Sequence, residues 1–408
     1  MDCCNARVTS QFTYCSNALS MDIYKGCNHK CQYCFARNVT KLLNKNTADI
    51  DYEESSMRSY SQIIKLIKGE YKGKSNKIMQ HLISKKQPIH IGGMADPFPY
   101  KVERKLRQAE QFIKEVGTYP CIWSTKNPLP EYADIMSKGN HIIQCSIIGF
   151  GDKFEQIEYG TVPPEERLDN LGKFKGKAKK IVIRMQPVIP WLFNDATLEE
   201  YVKKVSKVAD AITIEFLKKD INEKFEELSK TIGIDLNKEY VKYNVMEGSD
   251  YILPYKIRLD IGLKIKSLAH KYGMEFYCAE NGIRHIGDGP NCCGINNDKD
   301  GIFASKMLCN TSTLLFKAKA KGDVGIEDLL EDRDSIYDST PVADLGLNAG
   351  NRKRRNEQKQ KSIKKYFEEV YNTNNKNNPA KMFKVLKPYR DKNRNIRYKF
   401  DDSYKQNQ

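Results

Sequence analysis

No apolar stretch in this chain approaches the roughly 18–20 residues a membrane span requires. The first residues also lack the charged-then-apolar order of a secretion signal. A soluble, cytoplasmic protein with no membrane partner is expected. Twelve cysteines are too few over 408 residues for a disulfide scaffold, so the thiols should be reduced and available for metals or catalysis. There is no second paired-cysteine or His-x3-His knuckle of the zinc-finger kind, and no long internal repeat. The length and the 40% hydrophobic content suffice for one barrel-sized domain with an appendage, or for two domains.

What the chain does have is Cys27, Cys31 and Cys34, in the run Tyr24-Lys-Gly-Cys-Asn-His-Lys-Cys-Gln-Tyr-Cys-Phe-Ala-Arg37. Three thiolates at C-x3-C-x2-C spacing can hold three irons of a cubane [4Fe-4S] cluster and leave the fourth iron open to another ligand. A single zinc would need a fourth donor. His29 is inside the loop, but so short a loop makes tetrahedral closure awkward.

The spacing, with Tyr33 directly before the last cysteine, resembles the signature of the radical S-adenosylmethionine (SAM) superfamily. That resemblance implies that the open iron binds SAM and that the reduced cluster cleaves it to a 5'-deoxyadenosyl radical. It also implies a low-potential electron donor such as flavodoxin or ferredoxin.

Beyond the cysteine loop, short β-branched runs alternate with longer segments of helical period, the pattern of βα units. Strands are expected around Met21–Tyr24, Pro88–Gly92, Cys121–Thr125, Ile142–Ile148, Ile181–Met185 and Ala211–Phe216. Helices should lie in Ser59–Lys86 with breaks, Val102–Val116, Glu131–Ser137, Pro164–Leu171 and Thr197–Val208. Six such units make a partial (β/α)6 TIM-like barrel, in which reactive groups collect at the C-terminal ends of the strands. The expected division is a barrel core over 1–217, a cysteine-containing extension over 218–338 that completes or caps the barrel, and a basic tail over 339–408. Within the extension a helix at Tyr255–Lys271 and a further strand in Met274–Glu280 are expected.

Several groups fall at the expected strand ends. Gly92 and Gly93 open a turn in which a ligand can approach the backbone closely, and Asp96 follows in the same loop. Lys126 ends the third strand and Ser146 the fourth, and an ammonium and a hydroxyl both suit a carboxylate. Cys121 and Cys145 read as inert core thiols, and Cys145 should face away from Ser146 because neighbours alternate along a strand.

Lys126, Ser146, Ile157-Glu-Tyr-Gly-Thr161, Pro164-Glu-Glu-Arg-Leu168 and Ile183-Arg-Met-Gln-Pro-Val-Ile-Pro190 together resemble the spore photoproduct lyase-like branch of radical SAM proteins. The similarity spans roughly Ser20 to Phe216. It implies SAM contacts by Gly92, Gly93, Lys126 and Ser146, a buried or mouth-lining pair of Glu158 and Arg167, and Arg184 in the same polar layer; Asp96 would contact SAM or substrate. The lyase carries a hydrogen-donating cysteine in the loop after its second strand. Gly93-Met-Ala-Asp-Pro-Phe98 has none, which puts dimer repair by that route in doubt.

Cys278, Cys292, Cys293 and Cys309, supplemented by Cys3, Cys4 or Cys15, leave room for an auxiliary metal site, with a substrate-lining or structural role equally open. The net charge of +16 is uneven: residues 351–408 hold 18 Lys/Arg against 6 Asp/Glu, and so +12 of it. Lys and Arg neutralise phosphates, and Tyr389, Tyr398 and Phe400 among them could stack on bases in an expected hairpin. The leading expectation is a radical SAM enzyme that abstracts a hydrogen atom from nucleic acid, for repair or modification. A peptide or small-molecule substrate is the first alternative, and a non-catalytic iron–sulfur sensor that binds nucleic acid is the second.

Overall fold

The computed structural model describes residues 6–9, 11–17, 19–36, 56–57, 59–71, 77–221, 225–247, 250–296, 300–304, 309–330, 341, 356–357, 359–372, 377–401 and 403. Cys3, Cys4, the basic run 352–355 and residues 373–376 of the Asn-rich stretch lie outside them.

One open sheet organises the chain, in the linear order Arg7–Val8, Leu19–Met21, Ile89–Ile91, Cys121–Thr125, His141–Ser146, Lys180–Val188, Ala211–Phe216, Glu275–Cys278. Every neighbouring pair is parallel except the first, where Arg7–Val8 runs antiparallel along the edge. All six expected strands are present, and Glu275–Cys278 adds a seventh parallel one. Among the described residues the two outer strands do not pair with each other, so the barrel is partial. The sheet continues past residue 217, since the last strand comes from the extension.

Parallel strands are buried on both faces, and here the two faces differ. Leu19, Met21, Ile89, Ile91, Trp123, Ile143, Cys145, Ile183, Ile212, Ile214 and Phe276 join the large core beneath the helices. The opposite face carries Ile122, Ile142, Val182, Ala211 and Tyr277, on which Cys293, Ile295 and Phe303 of the extension pack. Gly294 permits this close approach: its φ is +75°, and a Cβ there would lie 2.7 Å from a Val182 methyl. One layer nearer the strands' C-terminal ends the inner face turns polar, with His90, Ser124, Gln144 and Arg184 in mutual hydrogen bonds.

The flanking helices start where their sequences say they should. Pro164–Gly172 opens on proline with Glu165 and Glu166 in its first turn. Asp195–Val205 is closed by a capping box between Asn194 and Thr197. The helix expected over Val102–Val116 is instead two, Val102–Leu106 and Gln108–Val116, broken at Arg107 with φ +53°. Glu103 is the cause. Its carboxylate accepts the Ala109 and Glu110 N–H groups at 3.1 Å each, which caps the second helix, and also accepts the Tyr132 hydroxyl at 2.7 Å and that of Tyr24.

The expected C-terminal hairpin is present as Leu386–Arg390 and Ile396–Phe400. It is not a free tail, because Asp323–Val324 pairs with its second strand and helix Ile363–Asn372 buries Phe367 near Phe12. No helix among the described residues is long and apolar enough to cross a membrane.

Glu103 is fully buried, and its loss would strand two tyrosine hydroxyls and two backbone donors. Glu103→Ala should lower unfolding free energy by about 3–5 kcal/mol in denaturant titration. A loss under about 1 kcal/mol would contradict this role.

Candidate active site at the C-terminal ends of the strands

The cysteine loop follows strand Leu19–Met21 and is fixed from several sides. The Gln108 amide donates to the Ile23 carbonyl at 3.0 Å, and the Asn28 amide to the Tyr100 carbonyl at 2.7 Å. Lys30–Cys31 pairs antiparallel with Glu158–Tyr159, which sets Cys31 opposite Glu158. Cys27 and Cys31 are buried and Cys34 is half-buried; none is in a disulfide. Burial pushes the Cys27 thiol up to about 11, with Asp96 and Cys34 adding to the rise. Burial also raises Cys31, against the opposing pull of Lys126. The three thiols thus share one electrostatic neighbourhood next to a cation.

Behind the loop is a buried ion pair. Arg167 Nη1 is 2.5 Å from Glu158 Oε2, and both side chains are fully buried. Arg167 also donates to the Val162 carbonyl at 2.6 Å and the Ser146 carbonyl at 2.8 Å, and to the Thr161 hydroxyl. Glu158 accepts the Tyr33 hydroxyl as well, and Lys126 Nζ is 3.9 Å from its other oxygen. The ammonium also sits 5.6 Å from the Tyr33 ring centroid. Burial alone would raise the Glu158 carboxyl, yet Arg167 and Lys126 outweigh it and hold it below the ordinary carboxylate range.

The glycine turn has two different glycines. Gly92 has φ +93°, and a Cβ there would meet the Ser124 carbonyl at 2.3 Å. Gly93 is open: a Cβ would find only Arg7 Nη2, at 3.7 Å. Asp22, just past the first strand, secures the turn by accepting the Met94 and Ala95 N–H groups at 2.9 and 3.2 Å. Asp96 braces the turn against the third strand, accepting the Thr125 hydroxyl at 2.7 Å, the Lys126 N–H at 2.6 Å and the Phe98 N–H at 2.8 Å. His29 Nδ1 lies 3.6 Å from Asp96. Burial lowers His29 to about 4, so the ring is neutral, and its Nε2 is buried with no hydrogen-bond partner among the described residues.

Cys27, Cys31, Cys34, Tyr33, Asp96, Lys126, Glu158 and Arg167 therefore form one assembly. Ser146 adjoins it through its carbonyl. Arg184 stands across the inner face, donating to Ser124 Oγ at 2.6 Å and Gln186 Oε1 at 2.9 Å. Asp22, His90 and Gln144 were not foreseen, and His29, considered in the sequence only as a fourth metal donor, faces Asp96. For Asp22 a signal existed, a carboxylate directly after the first strand; for His90 and Gln144 only the strand alternation could have marked them.

Two sequence expectations are corrected. The four later cysteines do not assemble among the described residues: Cys278 faces the helix-side core, Cys309 lies 3.4 Å from Lys317 Nζ, and Cys293 packs on the inner face. Strand alternation and a long intervening loop send them to different faces. Tyr398 cannot stack on a base, because it is buried and its hydroxyl donates to the Tyr371 carbonyl at 2.7 Å. Tyr389 remains exposed.

The donor set suits an iron–sulfur cluster. Three soft thiols lie beside Lys126, and the orphaned His29 nitrogen is inside their loop. Among the described residues no three His, Cys, Asp or Glu side chains are grouped to hold a single metal ion. A cubane does not ask for that, since each thiolate takes its own iron.

The two glycines should separate experimentally. Gly92→Ala should destabilise the fold by a few kcal/mol, from backbone strain and the clash with Ser124. Gly93→Ala should keep the wild-type melting temperature, because a Cβ there meets only Arg7 Nη2 at van der Waals distance. Equal melting losses in both would contradict the distinction.

No protein-family model matches the chain, and no curated protein matches it. Among solved structures it is similar to a cysteine-to-alanine mutant of spore photoproduct lyase, at 13% identity over 67% of this chain and 81% of that one with a TM-score of 0.48. Spore photoproduct lyase complexed with dinucleoside spore photoproduct gives 13% identity over 65% and 77% with a TM-score of 0.45. Methylornithine synthase gives 10% identity over 70% and 68% with a TM-score of 0.35.

Proposed function

We propose that this protein is a radical SAM enzyme of the spore photoproduct lyase-like kind. The observation that carries the proposal is the C-x3-C-x2-C loop at the C-terminal end of a parallel partial barrel, beside Lys126 and the open backbone at Gly93. Cys27, Cys31 and Cys34 would hold the cluster. With SAM bound, it supplies one-electron reduction, SAM cleavage and abstraction of a hydrogen atom, the electron coming from a flavodoxin- or ferredoxin-type donor.

The chain's own residues have definable tasks in this scheme. Lys126 balances thiolate charge and offers an ammonium to a carboxylate. Glu158 and Tyr33 hold that ammonium in place, and Arg167 keeps Glu158 ionised. Gly93 admits the ligand, while Asp22 and Asp96 keep its turn from moving. The polar layer of His90, Ser124, Gln144 and Arg184 faces the substrate. Burial lowers His90 to about 3, so it contributes a neutral ring.

Nucleic acid is the substrate class that the charge favours. Lys387, Tyr389, Arg390, Lys392, Arg394 and Lys399 are exposed on the hairpin, and although Asp401 and Asp323 offset Lys387 and Lys399, the basic groups at the turn extend the positive surface.

After anaerobic reconstitution with iron and sulfide, reduced wild-type protein should form 5'-deoxyadenosine from SAM. Cys27→Ala, Cys31→Ala and Cys34→Ala should each abolish both this product and the SAM-perturbed paramagnetic resonance signal; retained cleavage in any of them would refute the assignment. Affinity for single-stranded DNA or RNA should fall with salt at a log–log slope of about 0.7 per phosphate neutralised. Reversing Lys387, Arg390, Lys392 and Arg394 to Glu should flatten that slope, and an unchanged slope would rule the hairpin out as the binding surface.

A further inference from the structure

The cysteine loop holds a histidine that neither the ion pair nor the glycine turn accounts for. His29 stands between Cys27 and Cys31 in the chain and is only 3% exposed. The main-chain N–H groups of His29 and Asp96 both lie against the Cys27 sulfur, and the charged groups facing the ring are Asp96, Lys126, Arg167 and Glu158. The ring is therefore inside the assembly, on the side where Lys126 meets the thiols.

The two ring nitrogens have different surroundings. Nδ1 is 3.6 Å from Asp96 Oδ2. Asp96 cannot turn away, because its Oδ1 accepts the Thr125 hydroxyl and the Phe98 N–H while its Oδ2 accepts the Lys126 N–H. A carboxylate facing one nitrogen of a neutral imidazole favours the proton there and leaves a bare lone pair on the other. That other nitrogen, Nε2, is buried without a partner among the described residues, and the Lys126 ammonium is turned to Glu158 and the Tyr33 ring instead. An unpaired acceptor in a dry interior is costly. A free Nε2 with a carboxylate behind Nδ1–H is also the arrangement of a metal-ligating histidine and its outer partner. The loop is too short for His29 to close a tetrahedron around one ion shared with the cysteines. A cubane removes that obstacle, since its fourth donor belongs to a separate iron, and imidazole is an accepted ligand of iron–sulfur irons.

We propose that His29 Nε2 is the resting ligand of the cluster's fourth iron and that SAM displaces it. The assignment rests on the radical SAM reading of the loop and adds to it a ligand exchange. No electron is transferred in that exchange: the iron–nitrogen bond breaks, its electron pair stays on Nε2, and SAM takes the place on the iron. The ring keeps its Nδ1 proton toward Asp96 throughout, and Lys126 is at hand for the carboxylate of the incoming SAM. Until SAM arrives, the fourth iron is not left open to water.

The test uses full-length protein carrying 15N-labelled histidine, reconstituted anaerobically with iron and sulfide, reduced, and read by pulsed electron paramagnetic resonance with and without unlabelled SAM. Without SAM, the cluster signal should carry the coupling of a directly bound histidine nitrogen, and SAM should remove it. His29→Ala should lose the coupling and keep the wild-type iron content. It should also bind SAM about tenfold more tightly, because no internal ligand competes; a residue that only touched SAM would weaken binding when removed. A wild-type cluster without histidine coupling, coupling that persists with SAM, coupling retained in His29→Ala, or weaker SAM binding in that variant would each overturn the proposal and leave the radical SAM reading in place. Wild type that takes up no cluster would overturn both. The wild-type spectra need no substitution, so they decide the matter even where His29→Ala fails to fold.

Discussion

The buried pair between Glu158 and Arg167 is the constraint on which the candidate site depends. Arg167 ties two separate segments together, at Ser146 and at Thr161–Val162, and Glu158 gathers Tyr33 and Lys126. Removing either partner would leave a charge in a dry interior, at a cost of several kcal/mol. The cysteine loop has little regular structure of its own, only two-residue pairings of Tyr24–Lys25 with Ser56–Met57 and of Lys30–Cys31 with Glu158–Tyr159. The ion pair therefore fixes the Cys31 end of the loop and the place of Lys126 beside it.

The sheet supplies the frame in which that pair acts. Its outer face is mainly apolar, although it also carries His141 and Thr125, while its inner face changes from Ile122, Ile142 and Val182 to Ser124, Gln144 and Arg184. The apolar half is closed by Cys293, Ile295 and Phe303 from the extension, which leaves the polar half facing the strands' C-terminal ends. An inner face that is dry at one end of the strands and polar at the other follows from this gradient. Reactive groups placed there are screened little by solvent, which strengthens their mutual electrostatics.

Charge is managed by different rules in the two halves of the molecule. In the interior, Arg167 is matched by Glu158, Arg258 by Glu280 at 2.6 Å, and Lys218 by Glu215 at 2.9 Å. On the C-terminal hairpin, Asp323 and Glu327 neutralise Arg397, but the basic groups around the turn at Lys392 and Arg394 are exposed. A surface of this kind is attractive to polyanions over about a Debye length and is weakened by salt.

The local features were legible in the sequence. The six core strands, the proline-led helix at Pro164, the basic hairpin and the cysteine spacing depend on periodicity, turn chemistry and short-range spacing, all of which one segment carries by itself. Tertiary structure decided the rest. Whether Asp96 braces a loop, whether Tyr398 is exposed, and which late cysteines meet all depend on the face to which distant segments turn each residue. The break at Arg107 illustrates the limit: a helical period runs through it, but the Glu103 carboxylate, anchored by tyrosines from elsewhere in the chain, captures the Ala109 and Glu110 N–H groups. Tyr14 and Pro290 are separated by about two thirds of the chain, and only the closure of the extension over the sheet brings both their carbonyls to one buried arginine, Arg284.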